Sequence, residues 1–124
     1  MKRSSQREQI FKILFRAEFN EVSEMPLQEA MYFESGDMEF TEKDKKYITE
    51  KVNGILERCP EIDEQLSARM RGWTLGLGVY EILWDDEVPD GVAISEAVEL
   101  AKKFGAENSG SFVNGVLAAF ARKD

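Results

Sequence analysis

Residues 97–117 read AVELAKKFGAENSGSFVNGVL. Ala97, Val98 and Ala101 recur at helical spacing, and Gly105 is placed as a C′ stop. A polar turn follows, and Phe112, Val113, Val116 and Leu117 open a second helical stripe. The segment is therefore a helical hairpin. Lys102 and Lys103 suit the negative end of the first helix's macrodipole. Two adjacent lysines followed by Asn108, Ser109 and Ser111 exceed what a core hairpin needs, and the excess is the first hint of a surface that touches something.

Outward from this hairpin the helical period continues. A first helix is expected from about Ser5 to Phe19, opened by a capping box in Ser5-Gln6-Arg7-Glu8. Its stripe is Ile10, Ile13, Leu14 and Ala17, with Phe11 and Phe15 packing at its edge. A second starts near Pro26 and stops at Gly36, with Leu27, Ala30 and Met31 inward. A third starts at Thr41, with Asp44 three residues later, and ends before Pro60. It buries Ile48, Val52, Ile55 and Leu56. A short fourth carries Ile62, Leu66 and Met70 to Gly72. A fifth, residues 75–84, holds Gly76 and Gly78, each costing about 1 kcal/mol against alanine in a helix. Asp85-Asp86-Glu87 and Pro89 close it. The sixth spans about Gly91 to Phe104 with Val92, Ile94, Ala97, Val98 and Ala101 inward. The seventh starts at Ser109 or Ser111 and buries Phe112, Val113, Val116, Leu117 and Phe120. The expected fold is all-α: a compact bundle of about seven short helices in a single domain over residues 1–124.

Composition excludes several classes. The 124 residues carry 43% hydrophobic side chains and a formal net charge of −8. No apolar run approaches the roughly 18 residues of a membrane span. The basic start lacks the apolar core of a secretory signal. Histidine is absent, which removes the commonest general base and zinc ligand. The single cysteine, Cys59, forms no internal pair and reads as a small buried hydrophobe in a reducing, cytoplasmic setting. Asp85 and Asp86 lack a metal-ligand spacing. No nucleophile–base pair or phosphate loop is visible, so no catalytic residue, metal or cofactor is expected. Charge is uneven: Lys2, Arg3, Arg7, Lys12 and Arg16 face only Glu8 in residues 1–16, a segment of +4 against −12 for the remainder. That asymmetry fits a basic arm as well as a solvated helix end.

A more specific signature runs through Tyr80-Glu81, Val88-Pro89, Ala93-Ile94-x-Glu96-Ala97-Val98-Glu99-Leu100-Ala101, Phe104-Gly105 and Phe112-Val113-Asn114-Gly115-Val116-Leu117. It closely resembles the C-terminal half of the NusB family of bacterial transcription antitermination factors. Arg7-Glu8 leading into Ile13-Leu14-Phe15, the Ile62-Asp63 pair and Trp73 extend the resemblance along the chain. Between Trp73 and Tyr80 the family has a longer segment. About eleven residues are absent here, about three turns of helix, which leaves the rest of a shortened fifth helix nearly in phase.

The resemblance implies a cytoplasmic RNA-binding factor, not an enzyme. It would pair with NusE, the ribosomal protein that doubles as a transcription factor, bind boxA-type single-stranded RNA, and join an antitermination complex on RNA polymerase. Some relatives dimerise, which leaves a homodimer open. Lys2, Arg3, Arg7, Lys102, Lys103, Asn108, Ser109 and Ser111 are the expected RNA contacts, and Tyr80 and Glu81 the expected NusE contacts. Phe112 and Val113 read as core, and Gly115 as a site of close helix approach. Ser4 and Ser5 stand where many relatives carry arginines, which implies weaker RNA binding by the isolated chain and reliance on a basic partner. Two alternatives share the fold: the NusB-like domain of a ribosomal RNA methyltransferase, and a helical protein-interaction module without RNA binding.

Overall fold

The structure, a computed structural model, describes residues 1–17, 19–36, 38–65, 73–104 and 110–121. All regular structure among them is helical: α1 Arg3–Arg16, α2 Met25–Ser35, α3 Glu42–Gln65, α4 Trp73–Trp84, α5 Asp90–Phe104 and α6 Gly110–Ala121. A single 3-10 turn, Val22–Glu24, precedes α2. The chain packs as two compact units, Met1–Glu57 and Arg58–Asp124. The all-α expectation holds, with six α-helices among the described residues where about seven were expected.

In the first unit, α1 starts two residues earlier than expected. Lys2 is the N-cap residue in an extended conformation, without a side-chain cap, and its carbonyl accepts the Gln6 N–H at 2.9 Å. Ser5 and Glu8 therefore lie inside the helix and form no capping box. A long-range bond explains the extra half-turn: Gln6 Nε2 donates to Asp44 Oδ1 at 2.9 Å and ties the first turn to α3. Gln6, Ile10, Ile13 and Leu14 make the buried stripe, the i, i+4, i+7, i+8 pattern of one helix face. Phe15, expected against the core, is 46% exposed. The helix stops at Arg16, where the Asn20 side chain donates to the Arg16 carbonyl at 2.9 Å.

The α2 face is rotated from the expected one. Leu27, Ala30 and Met31 are exposed, while Met25 and Glu29 are buried. Polar contacts with α1 fix this phase: Arg16 Nη1 donates to Gln28 Oε1 at 3.1 Å, and the Tyr32 hydroxyl donates to Gln9 Oε1. Tyr32, Phe33 and Phe40 then cluster, the last two with centroids 5.0 Å apart.

The expected start of α3 is observed. Thr41 Oγ1 accepts the Asp44 N–H at 3.0 Å, and Asp44 Oδ2 accepts the Thr41 N–H at 3.0 Å, a reciprocal capping box. The expected stop is not observed, because α3 runs through Pro60 to Gln65. Proline there has no N–H for the Leu56 carbonyl, a cost of about 3 kcal/mol in a helix interior. Ile62 sits two turns beyond Ile55 and is 3% exposed, so continuing the helix keeps the apolar stripe in phase. Leu56 and Cys59 are only half-buried. Leu66 and Met70, assigned to a separate helix, lie outside the described residues.

In the second unit α4, α5 and α6 pack on one another. Residues 74–79 and Glu81 of α4 are all buried, while Leu83 near its end is exposed, so the first turns are the enclosed part of the helix. Gly78 is explained by contact: a Cβ there would stand 2.6 Å from Leu117 Cδ1 of α6. Asp85 closes α4, its side chain accepting the Glu87 N–H at 3.1 Å. The Pro89 carbonyl then accepts the first N–H groups of α5, from Val92 and Ala93. The buried face of α5 is Ala93, Ala97, Leu100 and Ala101, whereas Val92 is 43% exposed. Small residues on that face let the helices approach. In α6, Val113, Leu117 and Phe120 are buried, and Phe112, assigned to the core, is 41% exposed. Gly115 is also exposed, with nothing within 4 Å of a Cβ position, so it is not the point of close approach.

Candidate nucleic-acid interface

The expected RNA contacts fall into two groups, one in each unit. In the first unit they gather where α1 begins. Lys2 and Arg3 are exposed, but Arg7 is 3% exposed. The basic count of the α1 start does not distinguish these positions, but the period does: Arg7 lies one turn before Ile10 and Phe11, on the buried side. The expectation that Arg7 is displayed to solvent is therefore not met, and the accessible cations of this turn are Lys2 and Arg3.

Arg3 is held in a defined pose. Its Nη1 donates to Gln6 Oε1 at 2.6 Å, and its guanidinium carbon lies 3.8 Å from the centroid of the Tyr47 ring, a cation–π stack. Lys51 Nζ donates to the Tyr47 hydroxyl at 2.9 Å. Asp44 accepts from both Gln6 and Thr41. The backbone hydrogen bond from Thr41, followed by bonds to the Gln6 and Thr41 side chains, holds its carboxyl below the usual aspartate range despite partial desolvation. Between the starts of α1 and α3 lies an open cavity of about 410 Å³ lined by Met1, Arg3, Gln6, Thr41, Lys43, Asp44 and Tyr47. Sequence reasoning missed Lys43 and Tyr47, whose only signal was a basic and aromatic run, KDKKY, at the start of a helix.

In the second unit, Lys102 and Lys103 are exposed in the last turn of α5 and Ser111 in the first turn of α6. Lys102 Nζ lies 3.8 Å from Glu99 Oε1. The Lys102 stem covers the start of α6: a Cβ on Gly110 would be 3.4 Å from its Cγ and Cε. Lys103 Nζ is 6.0 Å from the Phe104 ring centroid. Phe112 and Asn114 add an exposed aromatic ring and an exposed amide to the same end of α6. Asn108 and Ser109 lie outside the described residues.

The expected partner contacts also separate. Tyr80 is half-buried, its ring 6.0 Å from that of Trp84, over which Arg58 stands at 5.1 Å. Glu81 is 1% exposed and presents no carboxylate to a partner. It lies on the buried part of α4, which adjacency in sequence to half-buried Tyr80 concealed.

The NusB family matches residues 4–122. The chain belongs to the NusB family. The transcription antitermination protein NusB of Agathobacter rectalis is 44% identical over 133 aligned positions, which cover 98% of this chain and all of that protein. Its counterpart from Pseudothermotoga lettingae is 40% identical, covering 98% of this chain and 91% of that one. A solved structure of T. maritima NusB superposes with a TM-score of 0.80 at 33% identity, over 99% of this chain and 92% of that chain. With the Ruminiclostridium cellulolyticum NusB, 135 aligned positions cover the whole of this 124-residue chain. About eleven positions of that NusB alignment thus have no counterpart here, the number expected from the short segment before Tyr80. Among the described residues, no helix is long and apolar enough to cross a membrane.

Proposed function

We propose that this NusB-family chain acts as a transcription antitermination factor, a single RNA-binding domain that engages boxA-type single-stranded RNA together with NusE and joins the RNA polymerase antitermination complex. Family membership along nearly the whole chain carries this reading. The three curated relatives described above are named for antitermination and match over 91–100% of their own lengths.

The surface chemistry supports it. Single-stranded RNA is held by cations that follow its backbone and by groups that stack on or hydrogen-bond its bases. Exposed Lys2, Arg3, Lys102 and Lys103 supply the first kind in an otherwise acidic chain, and the exposed Ser111 hydroxyl belongs to the second. Asn108 and Ser109 belong to the proposed contacts through their place between α5 and α6. The NusE contact is assigned to the Tyr80 side of α4, without Glu81. A net charge of −8 favours encounter with a basic ribosomal protein and sets its rate more than its affinity.

The test is fluorescence anisotropy of boxA-type RNA with this chain, with and without NusE, over a salt series and against a scrambled RNA. Preference for the boxA-type strand that strengthens with NusE is the expected result. A folded chain with no preference at low salt would sink the RNA role and leave a protein-interaction module.

A further inference from the structure

We propose that the cavity between the starts of α1 and α3 is a nucleotide subsite, taking one base of a single RNA strand against the Arg3–Tyr47 stack and its phosphate beside Lys43. The proposal rests on the RNA-binding reading above and adds to it a pocket and two residues that the sequence did not single out.

Three observations meet there. The cavity, about 410 Å³, falls in the range of small-ligand pockets, about 300–1,000 Å³. Its wall is held in place: Gln6 and Asp44 are each 4% exposed and bonded to one another, and Asp44 is bonded again to Thr41. A pocket whose polar wall is tied by its own hydrogen bonds loses little entropy when filled. The third observation is the Arg3 guanidinium carbon 3.8 Å from the centroid of the Tyr47 ring. Bases stack on arginine planes as well as on aromatic rings, so the pair offers a continued stack rather than a contact that must be broken.

The charges point the same way. Met1, Arg3 and Lys43 line the pocket with Asp44, and the Met1 ammonium lies 3.7 Å from Asp44 Oδ1, so the positive groups outnumber the one carboxylate. Both Asp44 oxygens already accept hydrogen bonds, which softens its repulsion of a phosphate. Gln6 and Thr41 stand where a base edge would arrive and can donate or accept.

The experiment measures anisotropy of a fluorescein-labelled boxA-type RNA with the full chain and NusE, for wild type, Lys43→Glu, Tyr47→Leu and Tyr47→Phe. Lys43 is exposed in the first turn of α3, where a carboxylate suits the helix dipole, so Lys43→Glu leaves folding intact and reads the ligand. Expected are a loss of about fivefold for Lys43→Glu with a shallower salt slope, and about tenfold for Tyr47→Leu. Tyr47→Phe, which keeps the ring, should stay within about twofold of wild type. If wild type binds and Lys102→Ala with Lys103→Ala weakens it, while Lys43→Glu and Tyr47→Leu bind like wild type, the subsite is wrong and the RNA reading stands. If wild type binds no RNA, both fall. If Tyr47→Leu does not fold, Lys43→Glu decides the question.

Discussion

Gly78 of α4 and Leu117 of α6 are in such close register that a β-carbon on residue 78 would sit 2.6 Å from Leu117 Cδ1 and 3.0 Å from Cδ2. Leu117 is fully buried and has little room to turn away. Gly78→Ala should therefore destabilise the chain despite alanine's better helix propensity. Overpacking costs about 1–3 kcal/mol against a gain of about 1 kcal/mol, so the net loss is up to about 2 kcal/mol. Gly115→Ala, exposed with open space around it, should stabilise by up to about 1 kcal/mol. Urea denaturation of the two variants separates steric need from chance, and equal effects would contradict the contact.

Pro60 lies on an exposed position inside α3. Pro60→Ala restores an N–H for the Leu56 carbonyl, a gain of up to about 3 kcal/mol. It also loosens the unfolded chain, returning about 1 kcal/mol. A net stabilisation of about 1–2 kcal/mol in chemical denaturation is expected, and a destabilised variant would show that proline sets the path of the helix.

The Thr41–Asp44 cap makes a pH-dependent prediction. Thr41→Ala should cost about 1 kcal/mol. The folded-state pKa of Asp44 is lowered, chiefly by the Thr41 backbone hydrogen bond. Its contribution is present above the unfolded pKa, roughly 3.9, and is lost as pH falls through the lower folded value. Asp44→Asn should be less stable than wild type at neutral pH, with the gap closing in acid. Melting curves from pH 2 to 7 measure it, and a gap that widens in acid would refute the cap's charge.

Glu29 carries the opposite sign. It is 5% exposed and its Oε1 has no hydrogen-bond partner. Burial raises its pKa. The penalty is absent below the unfolded value of roughly 4.3 and grows as pH rises through the folded one. Glu29→Met should stabilise by about 1 kcal/mol or more at neutral pH, by removing an unsatisfied oxygen. That advantage should shrink toward pH 4, and denaturation series at the two pH values check it.

Lys102→Ala with Lys103→Ala should weaken boxA-type RNA binding and flatten its salt dependence. Each lost phosphate contact on a single strand removes about 0.7 from the slope of log affinity against log salt, so two contacts remove about 1.4. Unchanged slope with unchanged affinity would take the α5 end out of the interface.

Much of this was legible in the sequence where local chemistry decides. The Thr41–Asp44 cap, the Pro26 start, the Asp85 turn and the cations in the last turn of α5 all depend on neighbours within a few residues. The ordered signature from Tyr80 to Leu117 placed the chain in its family. The proposed site was legible as exposed charge at Lys2, Arg3, Lys102 and Lys103. It was not legible as a pocket, because Gln6 and Asp44 are 38 positions apart.

By itself, then, the sequence determined the helical class, the family and where most helices begin. Only the tertiary structure decided which way the helices face. Period sets the angle between successive side chains but not the phase of a helix with apolar groups on several sides. Thus α2 turns Leu27 and Met31 outward because Arg16 and Gln9 bind Gln28 and Tyr32. In the same way Phe112 is exposed while Val113 and Leu117 are buried. Pro60 stays helical with Ile62 keeping its place in the stripe, and Gly78 suits its place because Leu117 Cδ1 occupies the space a β-carbon would need. The α2 bonds and the Gly78–Leu117 approach are contacts between segments distant in sequence, which outweigh the local preference that sequence patterns record.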